Sequence, residues 1–169
     1  MKKNNESEIL HHMAAWCSLS ERCIRDVEKK LADAELPPEA SERIITRLVK
    51  EKFIDENRFA RSFVNDKLHF NKWGKIKIAH ELNRRNIPPA IRAEALENID
   101  NQTYRTILLM LLKSKKKTTK GKDERDLFNK LLRFAAGRGF ESSESIACLR
   151  ELFNGNDYEN DIDCEGGFE

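Results

Sequence analysis

The sequence predicts an all-α chain of three tandem three-helix repeats, each like a helix-turn-helix unit, forming an elongated curved rod. Three observations predict it. Apolar residues recur four apart, as on one face of a helix. Glycine and proline are sparse, at 7 and 4 of 169 residues, which argues against a turn-rich β architecture. Two segments also recur at fixed offsets, the mark of a repeat architecture.

The first repeat is expected over residues 8–54, beginning with a helix over 9–18. Its second helix carries Val27-x3-Leu31, followed by Leu36-Pro37-Pro38. Proline suits a first helical turn, so a third helix starts there with Ile44, Ile45, Leu48 and Val49 on one face. The second repeat, residues 55–99, opens at Ile54-Asp55-Glu56-Asn57-Arg58-Phe59. Asp55 is a natural N-cap, because its carboxylate can accept from the free amides of the next turn, with Ile54 as an apolar staple. A helix over 56–70 follows, striped by Ala60, Val64 and Leu68 with Phe59 and Phe63 beside them. Ile78-x3-Leu82-x4-Ile87-Pro88-Pro89 then echoes the first repeat at an offset of 51, and Ile91, Ala95 and Ile99 continue it.

The third repeat, residues 100–153, opens at Ile99-Asp100-Asn101-Gln102-Thr103-Tyr104, with a helix over 101–114. Leu131-x3-Ala135-x4-Phe140 repeats the second-helix pattern without prolines, and Ser142 is the expected cap ahead of Ile146 and Leu149. Between them, Lys113 to Lys122 reads as a solvated lysine-rich loop, because like charges repel and Gly121 punctuates it. Residues 1–7 and the acidic stretch 154–169 are expected to be disordered.

Charged residues make up 36% of the chain, above the roughly 25% of ordinary globular chains, and suit helices with narrow buried stripes. The formal net charge of +2 conceals an asymmetry. Residues 155–169 hold six acids and no Lys or Arg, leaving 31 bases against 23 acids in the rest. A basic body with an acidic end suits work on or near a polyanion, though a solvated surface would give the same counts. No apolar run approaches the ~18 residues of a membrane span, and no signal-peptide core follows Met1, so a soluble, cytoplasmic protein is expected. Cys17, Cys23, Cys148 and Cys164 form no C-x-x-C pair and are expected to be free thiols.

Catalytic chemistry finds no footing. Phosphate-binding glycine loops, G-x-S-x-G and H-E-x-x-H are all missing. His11 and His12 diverge by about 100° on a helix, and Cys17 and Cys23 share no face, so no metal site is expected. Asp55 is explained as a cap and Asp66 lies on a polar face. The expectation is a protein without catalytic residues, metal or cofactor.

A binding surface is better supported. Phe70-Asn71-Lys72-Trp73-Gly74-Lys75-Ile76-Lys77-Ile78 combines lysines, an aromatic and a glycine read as flexible, between two helices. Lys72, Lys75 and Lys77 suit phosphates or carboxylates; Trp73 either stacks on a partner or closes the corner. Arg84 and Arg85 end the same helix, where cations also favour the helix dipole. Lys113, Lys115, Lys116 and Lys117 complete the basic set, as a source of electrostatic affinity without sequence readout.

The residues then bring a family into view. Phe53-Ile54-Asp55-Glu56-Asn57-Arg58-Phe59-Ala60, with Phe63-Val64, Trp73-Gly74, Ile78 and Glu81-Leu82, resembles the signature of the RecX family. Cys23-Ile24-Arg25-Asp26-Val27-Glu28-Lys29-Lys30-Leu31 resembles the matching helix of that family's first repeat, and the likeness covers about residues 9–153. It implies a monomeric regulator that binds the RecA–DNA filament in its groove and restrains RecA's ATPase, strand-exchange and coprotease activities. DNA, single- or double-stranded, would then be met electrostatically, without sequence preference. Asp55, Arg58, Phe59 and Ala60 match the motif but are physically a cap, a surface cation and core residues. The competing reading is a helix-turn-helix protein that binds duplex DNA independently of RecA. Against it, no single helix gathers Arg, Asn and Gln on one face, as base readout requires.

Overall fold

The computed structural model describes residues 5–154. Among the described residues the chain is all α-helical: α1 (Glu6–Leu19), α2 (Ile24–Ala32), α3 (Pro38–Lys50), α4 (Glu56–His69), α5 (Lys75–Arg84), α6 (Pro89–Glu97), α7 (Asn101–Thr118), α8 (Glu124–Gly137) and α9 (Ser142–Asn154).

Local chemistry sets these boundaries. Asp55 Oδ1 accepts from the Arg58 amide at 3.1 Å, and Asp100 Oδ2 from the Thr103 amide at 2.8 Å, satisfying amides that lack an intrahelical partner. Pro38 and Pro89 occupy the first turns of α3 and α6. Glu35 and Asn86, 51 residues apart, take matching left-handed φ values of 52° and 59° in the turns before those helices.

By packing, the described residues divide into two compact units: 5–66 with 79–98, and 67–78 with 99–154. The division passes through α4 and α5. In the first unit, α1 and α2 both pack on α3. Met13, Cys17, Val27, Leu31, Ile44, Leu48 and Ile54 form a buried cluster there, each contributing on the order of 1–3 kcal/mol by leaving water. In the second unit, α7, α8 and α9 pack on one another. Their buried faces carry Tyr104, Leu108, Leu112, Leu131, Ala135, Cys148 and Leu149.

Several expectations need correction. Lys113 to Thr118 are not loop; they are the last turns of α7, and only residues 119–123 connect it to α8. Lysine is a good helix former, and a helix C-terminus favours cations, so repulsion among these side chains does not break the helix. Glu6 and Ser7 belong to α1, whose cap Asn5 accepts from the Ser7 amide at 3.1 Å. Ser142 is the first helical residue of α9, not its cap. Arg58 is no mere surface cation: it pairs with Glu21 and donates to the Lys52 carbonyl at 3.1 Å. The expected disorder of residues 1–4 and 155–169 lies outside the described residues. Cys17, Cys23 and Cys148 are free and buried, and burial pushes the Cys23 thiol up to about 11. Among the described residues no helix is long and apolar enough to cross a membrane.

Candidate functional site

The expected site residues fall into two groups. Lys72, Trp73, Lys75, Lys77 and the α7 lysines belong to the second unit, while Arg84 and Arg85 belong to the first.

The corner between α4 and α5 is held by backbone contacts. The Gly74 amide donates to the Arg138 carbonyl at 2.8 Å, and the Ile76 amide to the Gly139 carbonyl at 3.0 Å. The Lys75 amide donates to the Tyr104 hydroxyl at 3.0 Å, which in turn donates to Glu141 Oε2 at 2.9 Å. The first amides of α5 therefore have partners within the protein. Gly74 is buried, and a Cβ there would collide with the Gly139 carbonyl group. The glycine is needed for this close approach, not for flexibility. Tyr104 is raised in pKa, chiefly by burial, and stays a neutral hydroxyl able to donate and accept at once.

Around this rigid corner the cations rest on aromatic faces. Lys77 Nζ lies 4.4 Å and Lys67 Nζ 4.8 Å from the Trp73 ring centroid, and Lys75 Nζ lies 4.8 Å from that of Tyr104. Such contacts contribute about 0.5–1 kcal/mol each at exposed sites. Trp73 thus closes the corner and carries lysines as well. Lys72, just before it, sits in a left-handed turn at φ 56°.

The corner is linked to α7 through residues that the sequence did not single out. Arg138 Nη1 donates to the Asn71 carbonyl at 3.0 Å, and its guanidinium lies 5.4 Å from the Phe134 centroid. Lys115 Nζ lies 5.0 Å from that same ring. Asn71, Arg138, Phe134 and Lys115 form one connected run from the Trp73 corner to the end of α7. Lys116 departs from it, resting 4.4 Å from Phe153, while Lys113 and Lys117 are exposed on α7. The i, i+4 spacing of Phe134 and Arg138 was a legible signal; their meeting with Asn71 and Lys115 was not.

Arg84 and Arg85 do different work. Arg84 pairs with Glu81 at 3.1 Å. Arg85 reaches Asp26 at 3.2 Å and lies 5.3 Å from the Phe63 centroid, tying the end of α5 to α2 and α4. Both charges are already answered by carboxylates within their own unit.

The two units also differ in sign. The described residues of the second carry 16 Lys and Arg against 7 Asp and Glu; those of the first carry 13 against 16. A surface of the second kind raises the local concentration of polyanions and speeds their approach.

Comparison with known proteins is consistent throughout. Residues 55–96 match the family model described as RecX, second three-helix domain. A Regulatory protein RecX of Clostridium acetobutylicum is 31% identical over 140 residues, 78% of this chain and 63% of that protein. One from Prosthecochloris aestuarii is 25% identical over 152 residues, 90% of this chain and 98% of that protein. This chain therefore spans less than two thirds of the first relative's length. In fold, it is similar to a crystal structure of regulatory protein RecX at TM-score 0.79, with 22% identity, 86% of this chain and 72% of the other covered. RecX from Lactobacillus salivarius gives TM-score 0.78 at 19% identity, covering 88% and 97%. Family model, relatives and fold point the same way as the motif at residues 53–82: the chain is similar to RecX proteins, and its residues 55–96 match their second three-helix domain.

Proposed function

We propose that this chain is a non-enzymatic regulator that binds the RecA–DNA filament and restrains RecA's ATPase, recombinase and coprotease activities. Its helices are read as three repeats, 8–54, 55–99 and 100–153, acting as a monomer inside the cell. The observation that carries this reading is the second unit's surplus of cations, braced on aromatic rings around a corner with buried backbone contacts. Bracing limits the side-chain entropy lost when a polyanionic partner is met. Lys72, Trp73, Lys75, Lys77 and Lys115 are the proposed contacts, with Arg138 added; Lys113, Lys116 and Lys117 supply longer-range attraction. Arg84 and Arg85 are proposed as lesser contributors, since each has an acid partner.

The test is RecA's DNA-dependent ATPase at increasing amounts of the protein. Inhibition well below one chain per RecA is expected. The triple variant Lys72→Glu, Lys75→Glu, Lys77→Glu should weaken it about 10-fold or more and flatten its dependence on salt. Unchanged ATPase beside tight, sequence-selective binding to bare duplex would overturn the reading in favour of a direct DNA-binding protein.

A further inference from the structure

Positions 51 residues apart are structurally equivalent in the first two repeats. Met13 and Val64, Cys17 and Leu68, Val27 and Ile78, Leu31 and Leu82, Ile44 and Ala95, and Leu48 and Ile99 are buried at both members. In this register Trp16 corresponds to Lys67, and Arg22 to Trp73. The Arg22 guanidinium lies 4.2 Å from the Trp16 centroid; Lys67 Nζ lies 4.8 Å from the Trp73 centroid. Aromatic and cation have exchanged places, and the pair persists. Each ring takes a second cation from the following helix, Lys30 at 4.7 Å from Trp16 and Lys77 at 4.4 Å from Trp73.

Between the members of each pair stands a large apolar side chain, again 51 residues apart. Leu19 is 81% exposed and Phe70 79%. A single exposed apolar residue needs no explanation, but two at equivalent positions, each three residues in sequence from a cation-covered tryptophan, form a repeated pattern.

We propose that these corners are a duplicated docking element. Each inserts its apolar residue, Leu19 or Phe70, into an apolar pocket rimmed by carboxylates on a protein subunit. Because the element occurs twice, its partner is a homopolymer that offers the same pocket on more than one subunit. This rests on the filament-binding reading above and assigns part of the contact to the protein of the filament. Two observations favour protein over nucleic acid. Leucine and phenylalanine share apolar volume but not a π-face, so a pocket accepts both whereas base stacking accepts only one. The tryptophan rings, which bases would otherwise choose, already carry cations. Those cations are complementary to a carboxylate rim, where they add specificity and association rate.

The experiment compares the full chain with Leu19→Ser, Phe70→Ser, the double variant and Met110→Ser, which alters another exposed apolar residue. Binding is measured to RecA filaments on single-stranded DNA and to the same DNA alone, after thermal melts confirm folding. Each single corner variant should bind filament about 10-fold more weakly, and the double variant more weakly than either. Bare-DNA binding and Met110→Ser should stay within about twofold of the parent. Filament binding unchanged in both single variants overturns the duplicated element and leaves the filament reading standing. Equal losses on bare DNA overturn it in favour of nucleic-acid contact. A parent chain that fails to bind filament overturns both.

Discussion

The two units are both helical and both hold ion pairs and cation–ring contacts, yet the balance differs: acids outnumber bases in the first and bases outnumber acids in the second. In the first, arginines meet carboxylates: Arg43 with Glu6, Arg47 with Glu51, Arg58 with Glu21 and Arg85 with Asp26. In the second, carboxylates are scarcer, and Lys67, Lys75, Lys77, Lys115, Lys116 and Arg138 lean on Trp73, Tyr104, Phe134 and Phe153. A carboxylate partner cancels a cation's field, whereas an aromatic face orients the cation and leaves its charge to act outward. The difference teaches that helical units with similar buried faces can carry surfaces of opposite net charge. The exposed pairs among them, Arg43–Glu6 and Arg47–Glu51, contribute little to stability, so their effect is chiefly to lower the net field.

The sharpest way to break the comparison is at equivalent positions 23 and 74. Cys23 is buried with its side chain accommodated, while Gly74 lies against the Gly139 carbonyl. Gly74→Ala should cost about 3 kcal/mol, because the obstacle is backbone and cannot swing aside. Cys23→Ala should cost only about 1 kcal/mol. Urea melts of both variants decide it, and equal losses would mean that the α5 corner yields more readily than its hydrogen bonds indicate.

Next in size is Tyr104→Phe, which leaves the Lys75 amide and Glu141 without their shared hydroxyl. A loss of about 1–2 kcal/mol is expected. Weaker polyanion binding should accompany it, read as salt-dependent anisotropy on single-stranded DNA, since the corner that braces the lysines loosens. Stability lost without any change in binding would separate the corner's structure from its charge.

The smallest effect concerns the crowded acids of the first unit. Glu56 has one carboxylate oxygen buried with no hydrogen-bond partner among the described residues. Its pKa is raised above its ordinary 4.5, first by burial and then by Glu28 and Asp26. A raised carboxylate pKa means that the fold disfavours the charge. Glu56→Gln should therefore raise Tm slightly at pH 7, and the gain should vanish as pH falls below about 4.5. A gain that persists at pH 4 would point to packing in place of charge.

Much of this architecture was legible without coordinates. The offset of 51, the caps at Asp55 and Asp100 and the proline-opened helices were read from spacing, because caps and helical faces depend on neighbours within one or two turns. The lysine stretch was misread as loop because local repulsion was weighed without the helix dipole and the rings that carry Lys115 and Lys116. For the candidate site, sequence identified Lys72, Trp73, Lys75, Lys77 and Lys115 as a charge-rich set. It did not identify Arg138, Phe134 or the role of Gly74, each defined by contact with residues tens of positions away. Nor did it separate Arg85 from the lysines, since its partner Asp26 is 59 residues distant.

By itself, then, the sequence determined what short-range physics controls: an all-α chain, the helix starts at Asp55, Asp100, Pro38 and Pro89, and the motif at residues 53–82. Tertiary structure alone decided which cations share rings with which helices, which are cancelled by acids, and why residue 74 carries no side chain. Those outcomes follow from packing between distant segments, where burial and close backbone approach select among arrangements that local propensity leaves equal.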